Sequence, residues 1–242
     1  MALLLQYTLI YASVLLLVAL GGCFSERSGI INLGLEGIMV AGALGGALVR
    51  KYMPNLSPAA MVIGVVLGSV VFGMIFSLLL AVAAINFNAD QTLVGTAMNM
   101  LATAAATVFV KAINMAENPN NVASTIQYIN QKKAFSIVKI AGFEVNWFMI
   151  ITIVLLILAN VVLYRTRLGL RLMACGEHPQ AADSVGINVY KMRYIGVLIS
   201  GFLGGLGGIV YITAGVSEWK FENGVAGFGF LALAVMIFGQ WK

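Results

Sequence analysis

The chain has 242 residues, of which 61% are hydrophobic and 10% charged, with a formal net charge of +5 and a mean hydropathy of +0.97. That composition leaves too little polar surface to cover a water-soluble globule, so it excludes a soluble protein and requires the bilayer as solvent. The positive balance sits mostly in connections, where lysine and arginine mark headgroup contact or orientation, and it implies no nucleic-acid partner.

Crossing about 30 Å of hydrocarbon takes roughly 20 apolar residues. Seven segments answer that rule, at residues 2–22, 30–49, 59–85, 92–110, 145–163, 195–214 and 225–239. No basic residue precedes Arg27 and no small-residue cleavage site follows the first run, which therefore reads as a retained span and not a signal peptide. The segments are apolar on nearly all faces, as suits helices surrounded by lipid and by one another. Glycines four apart, Gly42 and Gly46, Gly64 and Gly68, Gly201 and Gly205, Gly204 and Gly208, predict close helix packing.

Short connections after the first three spans make those helices antiparallel neighbours. Two longer polar stretches, 111–144 and 164–194, are separated by one span and so lie on opposite sides. Arg27, Arg165, Arg167, Arg171, Lys191 and Arg193 on one side face Arg50, Lys51, Lys111, Lys132, Lys133, Lys139 and Lys220 on the other, so charge bias alone does not orient the chain. The final segment is short for a crossing before Gly239-Gln240-Trp241-Lys242. A C-terminally truncated chain with one or more further spans is the expectation.

Catalysis would need a nucleophile with its base, a carboxylate pair or metal ligands at one depth, and the spans offer none of these. Cys23 and Cys175 have no second cysteine or histidine at ligand spacing, and His178, the one histidine, lies in a polar connection. No Gly-Lys-Ser/Thr follows the glycine-rich run 204–208, so no nucleotide site is expected. The expectation is a chain with no catalytic residues, no metal and no cofactor of its own.

Three polar residues inside spans stand out as translocation-path candidates: Asn32 and Glu36, four apart and expected on one helix face, and Asn99. Glu36 fits either a functional carboxylate or a structural one bonded to a neighbouring helix, and Asn99 either lines a path or bridges helices. Asp90 is expected to cap the fourth span. These groups are too few for a proton or sodium relay, which disfavours an ion-driven carrier.

The stretch GEHPQAADSVGINVYKMRY, residues 176–194, interrupts the apolar runs. Helix-unfriendly GEHP is followed by a turn or two of good helix formers that Gly186 ends. It reads as a short helix along the membrane face: Ala181 and Ala182 leave room for another protein's groove, and Glu177 and Asp183 supply polar edges. On the residues alone, a surface loop fits better.

Residues 180–186, Gln-Ala-Ala-Asp-Ser-Val-Gly, resemble the Glu-Ala-Ala-x3-Gly loop of ATP-binding-cassette importer permeases, with Gln180 where that pattern has Glu. GEHPQAA is similar to the Gly-Glu-x-Pro-x-Ala-Ala form of the branched-chain amino acid, ribose and nucleoside permease superfamily. FSERSGIINLGLEGIMVAGA (24–43), DQTLVGTAMNM (90–100) and GFGFLALAVMIFGQW (227–241) resemble its nucleoside branch.

That resemblance implies an all-α polytopic transmembrane bundle of the type II importer kind, one permease domain over 1–242 with a cytoplasmic coupling loop at 164–194. It implies a second permease subunit as heterodimer partner, an ABC ATPase subunit that holds ATP and Mg, and a lipid-anchored substrate-binding protein. The expected location is the bacterial cytoplasmic membrane, with the N-terminus and 111–144 outside. Glu177, Pro179, Gln180, Ala181, Ala182, Asp183 and Gly186 would contact the ATPase. Nucleoside import is the implied function. Alternatives are a permease of the same superfamily for sugars or branched-chain amino acids, an ion-coupled carrier, and a membrane enzyme.

Overall fold

The computed structural model describes residues 2–126, 136–140, 143–215 and 220–240. In chain order the helices are α1 (Ala2–Arg27), α2 (Leu35–Tyr52), α3 (Pro58–Ala81), α4 (Gln91–Glu117), α5 (Trp147–Arg165), α6 (Arg167–Glu177), α7 (Pro179–Ser184), α8 (Val189–Val210) and α9 (Phe228–Phe238). Between α4 and α5 lies an antiparallel pair that the sequence did not lead one to expect, β1 (Ser136–Ile140) and β2 (Phe143–Asn146). Apart from this hairpin the fold is the expected all-α bundle. Lys132, Lys133, Trp241 and Lys242 lie outside the described residues.

Many helix starts are local chemistry. Asp90 accepts from the Thr92 and Leu93 amides at 2.8 and 3.1 Å, as expected. Ser57, Asn146, Thr166 and Asn188 cap α3, α5, α6 and α8 in the same way.

Two sets of contacts define the ends of the bundle. At one end the Ile31 amide donates to Gln91 Oε1 at 2.7 Å, Tyr194 Oη donates to Asn86 Oδ1 at 2.7 Å, and Gly29 sits against Gly176 and Arg193. At the other, Lys51 pairs with Glu117 at 2.9 Å, Lys111 with Glu222 at 2.6 Å, and the Phe221 amide donates to Ser124 O. α2 therefore runs from the first end to the second. Among the described residues, six segments are long and apolar enough to cross a membrane on composition alone. α2, the seventh expected from the sequence, is not among them; its 18 residues carry Glu36, Arg50 and Lys51.

α8 is the hub, packed between α1, α2 and α3, and its glycine spine lets backbones meet. A Cβ at Gly205 would stand 2.5 Å from Ser69 O, and one at Gly208 would collide with the Met39 carbonyl. Gly42 abuts Gly205 directly, while Gly204 lies against Ile38. The predicted small-residue packing is thus present, although Gly64 meets only the Val49 and Leu56 side chains. Ile63, Leu67 and Ile75 of α3 and Ile153 and Ile157 of α5 are exposed and form apolar outer faces suited to hydrocarbon.

Replacing Gly205 by leucine forces two backbones apart, so the thermal midpoint of the purified chain should fall by the equivalent of about 3 kcal/mol or more. Gly64→Ala, which only displaces a Val49 methyl, should shift it by under about 1 kcal/mol. Equal midpoints for the two variants would show that α8 is not the packing centre.

Candidate functional site

α2 does not begin where the apolar run begins. Residues 28–34 descend into the bundle without helical structure, and α2 starts at Leu35. Non-helical backbone at this depth must find partners inside the protein. It does so over long sequence distances: Asn99 Nδ2 donates to Leu33 O at 2.9 Å, Asn99 Oδ1 accepts from the Gly37 amide at 2.8 Å, and Asn32 Nδ2 donates to Ser200 Oγ at 2.8 Å.

Asn32 and Glu36 are consequently not on one helix face. Asn32 lies in the unwound lead-in and is fully buried against α8. Its carboxamide oxygen accepts from the Gly34 amide and helps to start α2.

α9 also begins inside the bundle, and Glu36 meets its start. Glu36 Oε1 accepts from the Gly227 amide at 2.8 Å and Oε2 from the Gly229 amide at 2.7 Å. A carboxylate on α2 thus caps the N-terminus of α9, where unpaired N–H groups and the positive dipole end gather. The loop ahead of α9 turns through left-handed residues at Gly224, Ala226 and Gly227, and for Ala226 that conformation costs about 1–2 kcal/mol. Gly229 lies against the Glu36 backbone with no room for a Cβ, which brings its amide to the carboxylate. Tyr11 and Tyr211 hold Phe228 from the other side, with ring centroids 5.5 and 4.8 Å away.

Glu36 and Asn99 share a cleft of about 660 Å³ with Thr103, Thr107, Glu222 and Asn223. The cleft lies between α4, the first turn of α2 and the 221–227 loop, and it is open along α4, where Met100 and Val108 are strongly exposed. The threonines escaped the sequence reading, which took the fourth span as apolar all round. A signal was present: Thr92, Thr96, Asn99, Thr103 and Thr107 recur at spacings of four, three, four and four, which makes one helix face. Glu222 and Asn223 had no local signal, since only the fold brings the 221–227 loop beside α4.

At the end of the bundle that holds residues 164–194, α6 and α7 form a foot. α6 buries Leu172 and Cys175 and exposes Arg165, Arg167 and Arg171 around its start. A Cβ on Gly176 would strike Arg27 O, so α6 sits directly on the end of α1. α7 starts with Pro179 at a position that needs no amide donor and stops at Gly186, φ +82°. The Gly186 amide donates to Asp183 O and the Ile187 amide to Ala182 O, the paired closure of a Schellman motif. No atom lies within 4 Å of a Cβ at Gly186, so the glycine serves the backbone angle and not packing.

Glu177, Gln180, Ala181, Asp183 and Gly186 are exposed and Pro179 is half-buried. Ala182 is 4% exposed and turned toward this protein's own interior, so it leaves no room for a partner. The apolar group that α7 does present outward is Val185, at 75% exposure. Among the described residues no cluster of His, Cys, Asp or Glu could hold a metal.

Comparison with known proteins adds to this geometry. A family profile described as branched-chain amino acid transport system / permease component matches residues 4–242. The chain is 42% identical over 238 residues to the guanosine ABC transporter permease protein of Bacillus subtilis, covering 97% of this chain and 74% of that one. It is 40% identical over 250 residues to the nucleoside ABC transporter permease protein C of Lactococcus lactis, with the same coverage. A putative glucose ABC transporter permease of Haloferax volcanii is 30% identical over 253 residues, covering 99% of this chain and 71% of its own length.

Glu36→Gln keeps the size of the side chain but loses one accepting oxygen and the charge, leaving a buried amide unmet. The thermal midpoint of the purified protein should fall by the equivalent of about 1–3 kcal/mol, whereas Asn223→Ala, at an exposed position, should leave it within about 0.5 kcal/mol. A Gln variant as stable as the parent would remove Glu36 from its capping role.

Proposed function

We infer the activity from a premise already met: the chain belongs to the branched-chain amino acid transport system permease component family, as a multi-pass membrane protein. It is the permease subunit of an ABC importer, and its solute is a nucleoside. Similarity along nearly the whole chain to two nucleoside permeases carries this reading. The geometry is compatible with it: a cleft of about 660 Å³, open along α4 and lined by apolar as well as polar residues, falls in the range of small-molecule sites.

The division of labour follows from that similarity and from what the chain presents. Similarity to ABC transporter permeases supports an energy supply from outside this chain, through ATP hydrolysis on a partner ATPase. α7 is the element that meets that ATPase, with Glu177, Gln180, Ala181, Asp183 and Val185 as contacts and the arginines of α6 at the headgroups. Its end of the bundle then lies in the cytoplasm of a bacterial cell, with the Lys51, Glu117 and Glu222 end outside, where a lipid-anchored binding protein would deliver solute. The open flank along α4 is closed by a second permease subunit, so the path lies between two chains and Glu36, Asn99, Thr103 and Thr107 line this chain's half. The chain itself catalyses no covalent step. The glucose relative favours a second reading, a sugar permease with the same architecture.

Uptake into vesicles carrying the whole complex separates these readings. Labelled uridine and guanosine should enter on ATP addition and compete with each other, while ribose, glucose and leucine should not compete. Uptake of glucose or ribose in preference would establish the sugar reading, and uptake that persists without the ATPase and collapses with an ion gradient would remove the importer assignment.

Placing a charge at the outward position, Val185→Asp, should cut copurification of the ATPase at least tenfold with membrane insertion unchanged. Ala182→Asp should instead lower the yield of the permease itself, because that site is interior. A cysteine at Ser184 should resist an impermeant thiol reagent on intact cells; ready labelling would put the foot outside and end the docking assignment.

A further inference from the structure

We propose that the cleft selects its solute through the solute's hydrogen-bond donors, and that Thr103 and Thr107 are the residues that read them. This rests on the assignment of the cleft as this chain's half of the transport path.

A threonine hydroxyl has one hydrogen to give and two lone pairs to receive with. In α4 those hydrogens are already committed. Thr103 Oγ1 donates to Asn99 O at 3.2 Å and Thr107 Oγ1 to Thr103 O at 2.8 Å, each to the carbonyl one turn back. Thr96, above them on the same face, does the same toward Thr92 and Leu93. Each hydroxyl therefore faces the cleft as an acceptor.

The carboxylates add to that character. Glu36 is held by the Gly227 and Gly229 amides, and each of its oxygens retains further accepting capacity, with a Cβ built on Gly224 only 3.9 Å from Oε1. Glu222 is paired with Lys111 at 2.6 Å, which fixes it at the rim of the cleft and occupies the lysine's charge. Set against these acceptors, the uncommitted side-chain donors among the described lining residues are few: the second hydrogen of the Asn99 carboxamide, and the Asn223 carboxamide. Lined this way, the cleft complements a neutral solute with several N–H or O–H groups along one edge, such as an amino-substituted purine nucleoside. It opposes one whose edge bears acceptors alone, because acceptors facing acceptors leave both unpaired.

The test is a cycle between side chain and solute. The complete importer in vesicles is assayed for uptake of guanosine and of analogues each lacking one donor: inosine, 1-methylguanosine, 2′-deoxyguanosine and 3′-deoxyguanosine. The binding protein is the same throughout, so its own preferences cancel when variant is compared with parent for each solute. Thr103→Val and Thr107→Val keep the shape and remove the acceptor. Each should reduce guanosine uptake roughly two- to tenfold, the worth of one hydrogen bond, and should leave uptake of at least one donor-lacking analogue unchanged. Thr103→Ser and Thr107→Ser keep the oxygen and should retain the parental rates for all solutes. Where a valine variant fails to assemble, alanine makes the same deletion. Losses equal for guanosine and every analogue would overturn the proposal while leaving nucleoside import intact, and so would serine variants that behave like valine. A parent complex that imports no nucleoside at all would sink the substrate reading and this proposal with it.

Discussion

The bond between Glu36 and the start of α9 is the constraint on which the interior depends. Two segments, α2 and α9, begin within the bundle and not at its surface, and each such start leaves amide hydrogens without intrahelical partners. A buried carboxylate alone would cost several kcal/mol in desolvation, and buried amides alone would each cost about 1–3 kcal/mol. Placed together they cancel, since two charge-assisted bonds of 2.8 and 2.7 Å meet the positive end of a helix dipole. The expense of an ionisable group in a span is thereby explained without a titrating role.

Once those two starts are fixed, the rest follows by contact. Asn99 ties the unwound residue Leu33 and the first turn of α2 to α4. Asn32 ties the same stretch to α8, whose glycines hold α2 and α3 at backbone distance. At the foot, Gly176 rests on Arg27 O beside Gly29, immediately before the unwound stretch begins. A single segment, residues 27–37, therefore touches the foot at one extremity and the cleft at the other. Residues 28–34 within it have no helical structure and are held instead by bonds to α4 and α8.

The long apolar helices were legible because hydrocarbon thickness imposes a length, and apolar runs of that length are hard to mistake. The Asp90 cap was legible because capping is local; for residues 179–184 the residues alone favoured a surface loop, and only the resemblance favoured the short helix that α7 forms. What stayed hidden depended on partners far away in sequence. The lead-in to α2 reads as helix until Gln91, Asn99 and Ser200, which lie 60, 66 and 168 positions away from their partners, supply its hydrogen bonds. Asn32, a path candidate because a polar group in a span is costly, sits in that stretch buried against α8. The inward turn of Ala182 was equally invisible, since in a two-turn helix either of two adjacent alanines fits a groove until packing picks one. The threonine face of α4 was visible in spacing, and was passed over because threonine is nearly neutral on a hydropathy scale and leaves the span apolar on average.

The open flank of the cleft decides what this chain is unable to do alone. Thr103 and Thr107 share α4 with Met100 and Val108, whose exposure marks the side on which no other described element covers the cleft. A polar solute resting there would have its outer edge against lipid, and each unpaired polar group in that setting costs several kcal/mol. Deepening the cleft would not help, because α2 and α9 already lie against its floor through Glu36. A second helical surface is the arrangement that removes the cost.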